Sequence, residues 1–409
     1  MDRDFDCIVV GGGIAGLSTA LRLALNGIRV VVLEKDRLGS GATVGNHGTI
    51  HSGALYALEH PQLSRQCQEA LAAYRKSFPR AQVPVAMSWY FADGPRLLAF
   101  ERCWHEQGIA YDTVERALVD DVLLTSAGDT RRCVAISDHI VSSRGILLDL
   151  AQRCLDAGVV LATSTPVREV HAGGGRCPAV RIGLRESLTA EHVVLGCGLG
   201  IAPLLRPLGS SLCRRLRSRL AVMAVLPNLR LDRALFCLEN TGPTVVPTTD
   251  GMALASLFGG LQPGIDELGR WPIPLALADH VLGQLGWCVR PDVVDAAGAW
   301  GYVCSKTELE AAPGDPWRGG PNYAVVDHGA QDGLDGLWSL IPGKMTVALH
   351  ASRDLVARMY RIASELTLPP AGDRVTERAK RLVAQQPWQT ARASAVEWQP
   401  GDAGVAAGD

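Results

Sequence analysis

Short unbroken apolar runs, separated by glycine, open this chain. Residues 8–10 are one such run, the expected strand 29–33 carries another after Arg29, and between them residues 14–25 are almost all small or aliphatic. Runs of that length predict buried strands, and three turns of small residues between them predict a helix packed closely on both. The stretch 6–35, DCIVVGGGIAGLSTALRLALNGIRVVVLEK, therefore reads strand, turn, helix, strand. Apolar positions then recur three and four apart at Leu63, Cys67, Ala70, Leu71 and Tyr74, which predicts a helix over 61–78. Beyond Pro79 the period shortens: 87–91 predicts a strand, 97–107 a helix, and the residues up to 138 irregular strands. A helix over 146–157 is stopped by Gly158, and strands follow at 159–162, 166–170 and 190–195. The last opens into Gly196-Cys197-Gly198-Leu199-Gly200 and a helix through residue 208.

Strand patterns return at 220–226, 234–238, 244–247 and 252–257, with a helix over 274–285 and a further strand or two within 293–303. The charge-rich stretch 306–320 reads as a solvated loop. A strand at 323–328, a strand and turn over 337–346 and a helix over 347–366 follow. After Pro369 an amphipathic helix is expected over 374–385, and the Ala/Gly/Asp-rich end from 386 reads as disordered. This order predicts an α/β protein: a Rossmann-like dinucleotide domain assembled from residues 1–78, 143–212 and 323–370. Two insertions, 79–142 and 213–322, build one α+β substrate domain on an antiparallel sheet, and 371–409 form a C-terminal helix and tail.

Composition narrows the function classes. At 409 residues the chain exceeds one hydrophobic core. A formal net charge of −2 with no Lys/Arg run points away from nucleic acid and anionic membrane surfaces. The longest apolar runs are strand-sized or interrupted by arginine, so no transmembrane segment is expected. The chain starts Met-Asp-Arg-Asp and enters its first strand at once, which reads as a cytoplasmic protein without a signal peptide. Its eleven cysteines are scattered with no C-x-x-C, so they read as small buried apolar residues, and no metal site is expected.

Gly11, Gly13 and Gly16 form G-x-G-x-x-G at the first strand's end. The first permits the tight turn, the second lets backbone approach a pyrophosphate, and the third lets the helix pack on the sheet. The helix start, Ile14 and Ala15, presents N–H groups and a positive dipole end to the phosphates. Glu34, ending the second strand beside Lys35, is placed to accept hydrogen bonds from a ribose. Residues 39–56, GSGATVGNHGTIHSGALY, crowd glycines among histidines, an asparagine and a tyrosine, the mark of a loop that brings backbone close to a bulky ligand. The Gly196–Gly198 turn is either a second point of cofactor approach or an ordinary strand-to-helix connection. Gly343-Lys344-Met345-Thr346 leads into a helix N-terminus, where backbone N–H groups can meet the polar edge of a flavin.

These pieces in this order resemble the FAD-dependent amino acid oxidase-like superfamily, which includes glycine oxidases, 2-hydroxyglutarate oxidases and flavin glycerol-3-phosphate dehydrogenases. The resemblance spans roughly residues 5–365. Asn46-His47-Gly48-Thr49-Ile50-His51-Ser52-Gly53-Ala54-Leu55-Tyr56-Ala57 is similar to the N-H-G-x-x-H-S-G-A-R-Y-A stretch of anaerobic-type glycerol-3-phosphate dehydrogenases and to the I-H-S-G-x-x-Y of 2-hydroxyglutarate oxidases. Gly343 to Thr346 resembles the G-K-L-T turn of the former group, and Gly196-Cys197-Gly198 takes the place of A-A-G or A-T-G. The resemblance implies a glutathione reductase-type FAD domain. It implies that FAD is held by Gly11, Gly13, Ile14, Ala15, Gly16, Glu34, Lys35, Ala42, Thr43, Asn46, His47, Gly48, Val167, Gly196, Gly198, Gly343, Lys344, Met345 and Thr346. Two arginines that bind phosphate in the glycerol-3-phosphate enzymes are replaced here by Leu55 and, on alignment by eye, Leu349. A phosphate dianion would then lack its bidentate partners, so glycerol 3-phosphate is not the expected substrate.

The implied chemistry is removal of hydride from a carbon bearing a hydroxyl or an amine. For an alcohol a base must take the hydroxyl proton; His51 is the candidate, because imidazole titrates near neutrality, with His47 and His350 as competitors. Tyr56 is a candidate for orienting a substrate oxygen, and Leu55, Leu349 and His350 for lining the substrate. Lys344 beside the flavin's carbonyl edge would favour the anionic reduced form. The favoured substrate is a polyol, cyclitol, sugar-like alcohol or 2-hydroxy acid. The alternative, an amine or amino acid oxidase, needs a carboxylate-binding arginine, for which Arg217, Arg219 and Arg290 are available. A third reading, flavin binding without catalysis, is disfavoured by the intact polar loop. An external electron acceptor is required, and oxygen, a quinone and an electron-transfer protein all fit.

Overall fold

The computed structural model describes residues 4–120, 131–174, 176–184, 186–239, 243–257, 281–285, 289–290, 299–310, 323–369, 372 and 374–390. Two large sheets organise them. In the first, strand order runs Ala324–Asp327, Leu337–Ile341, Ser187–Leu195, Phe5–Val10, Val30–Leu33, Val160–Ala162. All neighbours are parallel except the first pair. Phe5–Val10 lies in the middle with both faces covered, so its apolar residues run consecutively instead of alternating: Cys7, Ile8 and Val9 are wholly buried. Helix Ile14–Ala24 packs on this sheet and is flanked by helices Ser143–Asp156 and Ala348–Tyr360. That three-sided burial is why the helix is apolar all round, with every residue from Ile14 to Leu23 buried.

The second sheet runs Trp300–Leu309, Leu216–Leu226, Ala253–Leu257, Pro243–Pro247, Leu235–Cys237, Ser88–Ala92, Arg132–Ile136, Asp112–Thr113. Its pairs are antiparallel except at one point, where Leu235–Cys237 lies parallel to Ser88–Ala92, joining strands from two distant stretches of chain. Alternation there separates two faces. Trp89, Phe91 and Leu235 belong to one apolar cluster, whereas Tyr90 and Phe236 belong to another together with Leu55 and Tyr56. A two-stranded ribbon pairs Thr49–Ile50 with His139–Ile140.

Several expected elements differ. Strand Trp300–Leu309 continues into the stretch read as a solvated loop, and its pairing with Leu216–Leu226 runs from Trp300 to Leu309. The charge there had the look of solvent, but backbone pairing along Leu216–Leu226 carries Thr307 and Glu308 inside. A hairpin of Glu169–Gly173 and Arg176–Arg181, antiparallel to Ser187–Leu195, replaces the single short strand expected at 166–170. The last long helix ends at Tyr360, where Arg361 adopts φ +57°. The C-terminal helix is Glu377–Leu382, capped by the Thr376 hydroxyl, shorter than 374–385. Of the end read as disordered, residues 386–390 are ordered: Pro387–Thr390 is helical and Trp388 is buried, because the indole finds both an apolar site and a hydrogen-bond acceptor. Most of the helix expected over 274–285, and residues 391–409, lie outside the described residues.

Candidate active site and cofactor groove

The glycine turn joins the C-terminal ends of three parallel strands. Gly11, at φ +106°, donates its N–H to Leu33 O at 2.9 Å, and a Cβ there would lie 2.7 Å from Cys197 Cα. A Cβ on Gly16 would sit 2.0 Å from Gly11 O. Both glycines are thus required by the protein's own packing. Gly13 differs: a Cβ there meets only Thr43 Oγ1, at 3.1 Å. The Thr43 hydroxyl also accepts the N–H of Ile14 at 3.2 Å, and the helix has no acidic residue in its first turn. Its N-terminus therefore keeps its positive end open to an anion.

Glu34 is held against the same turn. One carboxylate oxygen accepts Gly12 N–H at 2.8 Å and the other accepts Asp36 N–H at 3.0 Å, leaving further lone pairs on each. Lys35 is exposed, 3.9 Å from Asp36. Val167 packs on the cluster containing Val31 and Leu33, and Thr165 N–H donates to Glu34 O, so both lie at the Glu34 end. The second glycine turn is tied to the first: Gly196 N–H donates to Val10 O at 2.9 Å, and Gly198 has φ +56°. Burial pushes the Cys197 thiol up to about 12, so it is no thiolate near neutral pH.

The third turn meets the histidine loop. Asn46 Nδ2 donates to Thr43 O at 2.5 Å and also faces Met345 Sδ at 3.4 Å, while its Oδ1 accepts Gly48 N–H at 2.7 Å. Gly48 has to be glycine, since its φ is +75° and a Cβ would lie 2.1 Å from Val141 O. Tyr74 donates to Met345 O at 2.6 Å, and the Thr346 hydroxyl accepts His51 N–H at 3.3 Å. Behind Ala42–Gly45 the second sheet closes in, with Tyr302 donating to Gly45 O at 3.0 Å.

His51 is the centre of a buried polar and aromatic cluster. Its ring lies edge-on to Tyr56 at 5.3 Å and Phe236 at 5.8 Å, and His47 is 6.2 Å away with Nδ1 2.9 Å from Thr49 Oγ1. Lys344 Nζ lies 5.5 Å from the Tyr56 ring centre and 3.9 Å from the buried Glu308 carboxylate. Phe236 stacks on Tyr90 at 4.7 Å. The Tyr90 hydroxyl donates to Asp138 at 2.7 Å, and the other Asp138 oxygen accepts Ser52 N–H at 2.6 Å. Burial raises the Asp138 carboxyl, opposed by hydrogen bonds from Tyr90, Ser52 and Ser88. Burial and the neighbouring Asp138 hold the Tyr90 phenol well above its ordinary value.

Asp138, Tyr90, Phe236 and Glu308 were missed at the level of sequence. The one signal for Asp138 is an acid next to His139 between apolar pairs. The other expected residues are placed as follows. Leu55 is buried with Leu63, Phe100 and Trp104 in the cluster that also holds Tyr56. Leu349 is wholly buried in a different cluster, with Leu17 and Leu21, so the structure does not bring the two leucines together. His350 faces helix Pro61–Ser77, its Nε2 3.0 Å from Glu69 and its ring 6.3 Å from Tyr323; burial lowers its pKa. Arg217 pairs with Glu310 at 2.7 Å. Among the described residues no group of His, Cys, Asp and Glu is arranged to hold a metal, and no helix is long and apolar enough to cross a membrane.

Comparison with known proteins gives this groove its context. The family described as FAD dependent oxidoreductase (DAO) matches residues 6–316. Anaerobic glycerol-3-phosphate dehydrogenase subunit A1 of Haloferax volcanii is 23% identical over 85% of this chain and 62% of its own length. Mitochondrial L-2-hydroxyglutarate dehydrogenase of Pongo abelii is 28% identical over 48% of this chain and 51% of its own. The chain thus spans between half and two thirds of these relatives' length. A solved L-α-glycerophosphate oxidase from Mycoplasma pneumoniae, with FAD bound, superposes with a TM-score of 0.69 at 16% identity, covering 92% of this chain and 98% of that one. The residues present fit that cofactor. Gly13 is a glycine that the protein's own packing does not demand, Glu34 is fixed against the same turn with carboxylate lone pairs to spare, and the helix start carries no competing acid. Mixed α/β architecture, glycine groove and family match agree, and the chain belongs to the DAO family of FAD-dependent oxidoreductases.

Proposed function

We propose that this enzyme oxidises a secondary alcohol carbon, with His51 as the base that takes the hydroxyl proton. FAD, when bound, supplies the hydride acceptor; an external oxidant then reoxidises it. The observation that carries this reading is the position of His51. It is buried, edge-on to Tyr56 and Phe236, and its backbone is held by Thr346 of the Gly343–Thr346 turn, which we assign to the flavin's polar edge. An imidazole so enclosed accepts a proton from a substrate hydroxyl without exchanging it rapidly with water. Tyr56, whose ring carries the Lys344 ammonium, is placed to orient the substrate oxygen. Thr43, Asn46 and Gly48 hold the cofactor side of the same loop, and the second sheet supplies the substrate side. An amino acid substrate would require a guanidinium for its carboxylate. Leu55 offers none and Arg217 is engaged with Glu310, which leaves Arg219 and Arg290 as the guanidinium candidates for that alternative.

Purified holoenzyme mixed anaerobically with alcohols, hydroxy acids and amines tests this directly by loss of flavin absorbance. Alcohols or hydroxy acids are expected to bleach it; bleaching by amines alone overturns the proposal. His51→Ala should slow reduction by about 10²–10⁴-fold, the usual contribution of a general base, while FAD occupancy is kept. Equal loss of both would make His51 structural.

A further inference from the structure

We propose that Asp138 positions the His51 imidazole, gripping both the backbone that carries the ring and the aromatic wall on which it packs. This rests on the reading of His51 as the base. The grip begins in the two-stranded ribbon, where Ile50 pairs with His139, so that His51-Ser52 and Asp138 leave it side by side. Asp138 is anchored there by its own main chain. Its N–H donates to Ile136 O at 3.1 Å, and the Arg75 guanidinium donates to its carbonyl at 3.2 Å.

From that fixed point the carboxylate works in two directions. Oδ1 accepts Ser52 N–H at 2.6 Å, which holds the peptide that follows His51. The peptide that precedes His51 is held by the Thr346 hydroxyl, which accepts His51 N–H at 3.3 Å. With both flanking peptides tied, the direction of the His51 Cα–Cβ bond is set. Oδ2 accepts the Tyr90 hydroxyl at 2.7 Å. Tyr90 and Phe236 are register partners where the second sheet turns parallel; their rings stack at 4.7 Å with planes 17° apart, and Phe236 meets the His51 ring edge-on at 5.8 Å. One side chain thus fixes where the imidazole starts and what it leans on. Its loss would free both at once, and a catalytic group displaced by about 1 Å loses about 10²-fold in rate.

The test compares wild type, Asp138→Asn, Asp138→Ala and Tyr90→Phe holoenzymes, each checked for FAD content and thermal transition. In the first arm the histidines are isotopically labelled at the ring Cε1 for magnetic resonance, and the His51 and His171 signals are assigned by His51→Ala and His171→Gln. Asp138→Ala and Tyr90→Phe should move the His51 signal and leave that of His171, an exposed side chain of strand Glu169–Gly173, where it is. In the second arm flavin reduction by glycerol, myo-inositol and 2-hydroxyglutarate is followed anaerobically. The limiting rate should fall about 10²-fold in Asp138→Ala at unchanged half-saturating concentration, since a misplaced base weakens the transition state and not the bound substrate. Tyr90→Phe, which keeps the ring stack and removes only the donor, should lose about tenfold, the scale of one hydrogen bond to a charged group. Asp138→Asn keeps an oxygen for Ser52 N–H and an amide that can donate to the Tyr90 oxygen, and should recover about tenfold or more of the loss in Asp138→Ala. A His51 signal that stays in place in Tyr90→Phe and Asp138→Ala, wild-type limiting rates in both, or an Asp138→Asn as slow as Asp138→Ala overturns the proposal. Should Asp138→Ala fail to hold FAD, Tyr90→Phe alone decides on the same two readouts. Reduction of His51→Ala at full rate, or bleaching by amines alone, overturns the reading of His51 instead, and the first arm then decides whether Asp138 positions it.

Discussion

Gly13 and Gly16 belong to one turn yet are glycine for different reasons, and substitution separates them. A methyl group on Gly16 meets the Gly11 carbonyl at 2.0 Å, a backbone atom that cannot move without lifting the helix from the sheet. Gly16→Ala is therefore expected to lose cooperative folding, read as a collapse of the thermal transition. A methyl group on Gly13 touches only Thr43 Oγ1 at 3.1 Å, so Gly13→Ala should fold with a melting temperature close to wild type. What it blocks is the approach of a pyrophosphate, and purified protein should carry little FAD, measured as flavin absorbance per mole of protein. Full FAD content in Gly13→Ala would refute this division. These glycines were legible because spacing alone fixes their task. Glu308 was not: a charged residue in KTELE reads as solvated, and only pairing with Leu216–Leu226 carries it into the interior.

Among the elements, the short ribbon of Thr49–Ile50 and His139–Ile140 carries the histidine loop and holds a buried titratable group of its own. His139 is 1% exposed, and among the described residues neither of its ring nitrogens has a hydrogen-bond partner. Burial first, then the nearby Arg75 guanidinium, which donates to Ser137 and Asp138 O, depresses its pKa to about 4. The unfolded chain takes up a proton near the ordinary value of about 6.5, and the folded chain does not until about 4. Stability from this residue is therefore full above pH ~6.5 and is lost progressively as pH falls to about 4, by roughly 3 kcal/mol in all. Denaturation midpoints measured from pH 7.5 down to 4 should fall less steeply for His139→Leu than for wild type; parallel profiles would exclude His139 as the cause. The ribbon was hidden in the sequence because two-residue strands have too short a period to register. The long helix 61–78 had ample period and was found to within one residue, as Pro61–Ser77.

At the scale of the whole molecule, the last described residues connect the two sheets. Leu38, which follows the second strand of the cofactor sheet, donates to Leu382 O at 2.8 Å and accepts from Ala384 N–H at 3.0 Å. Six residues after Leu382, the Trp388 indole donates to Asp250 at 3.0 Å, shares that carboxylate oxygen with Gln389, and lies 6.1 Å from the Tyr302 ring. Tyr302 in turn donates to Gly45 O, next to Asn46 and His47. The chain thus crosses from one sheet to the other beside His47 and Gly48, with Gln386 and Trp388 lining the same small recess. A tryptophan in an Ala/Gly/Asp-rich end was the one sequence sign of this anchor, and composition masked it. Truncating a buried tryptophan typically costs about 3–5 kcal/mol. Much of that cost is expected to appear as local release of residues 386–390, which the Trp388 indole and the Gln389 amide tie to Asp250. Trp388→Ala should therefore become sensitive to protease between residues 369 and 390 before the rest of the fold is cut, and should lose FAD faster on dilution. Asp250→Asn, which keeps an acceptor for the indole, should show a smaller effect in the same direction. Limited proteolysis and the rate of rise in free-flavin fluorescence report the two effects separately. Wild-type behaviour of Trp388→Ala in both would mean that the sheets are held together without residues 386–390.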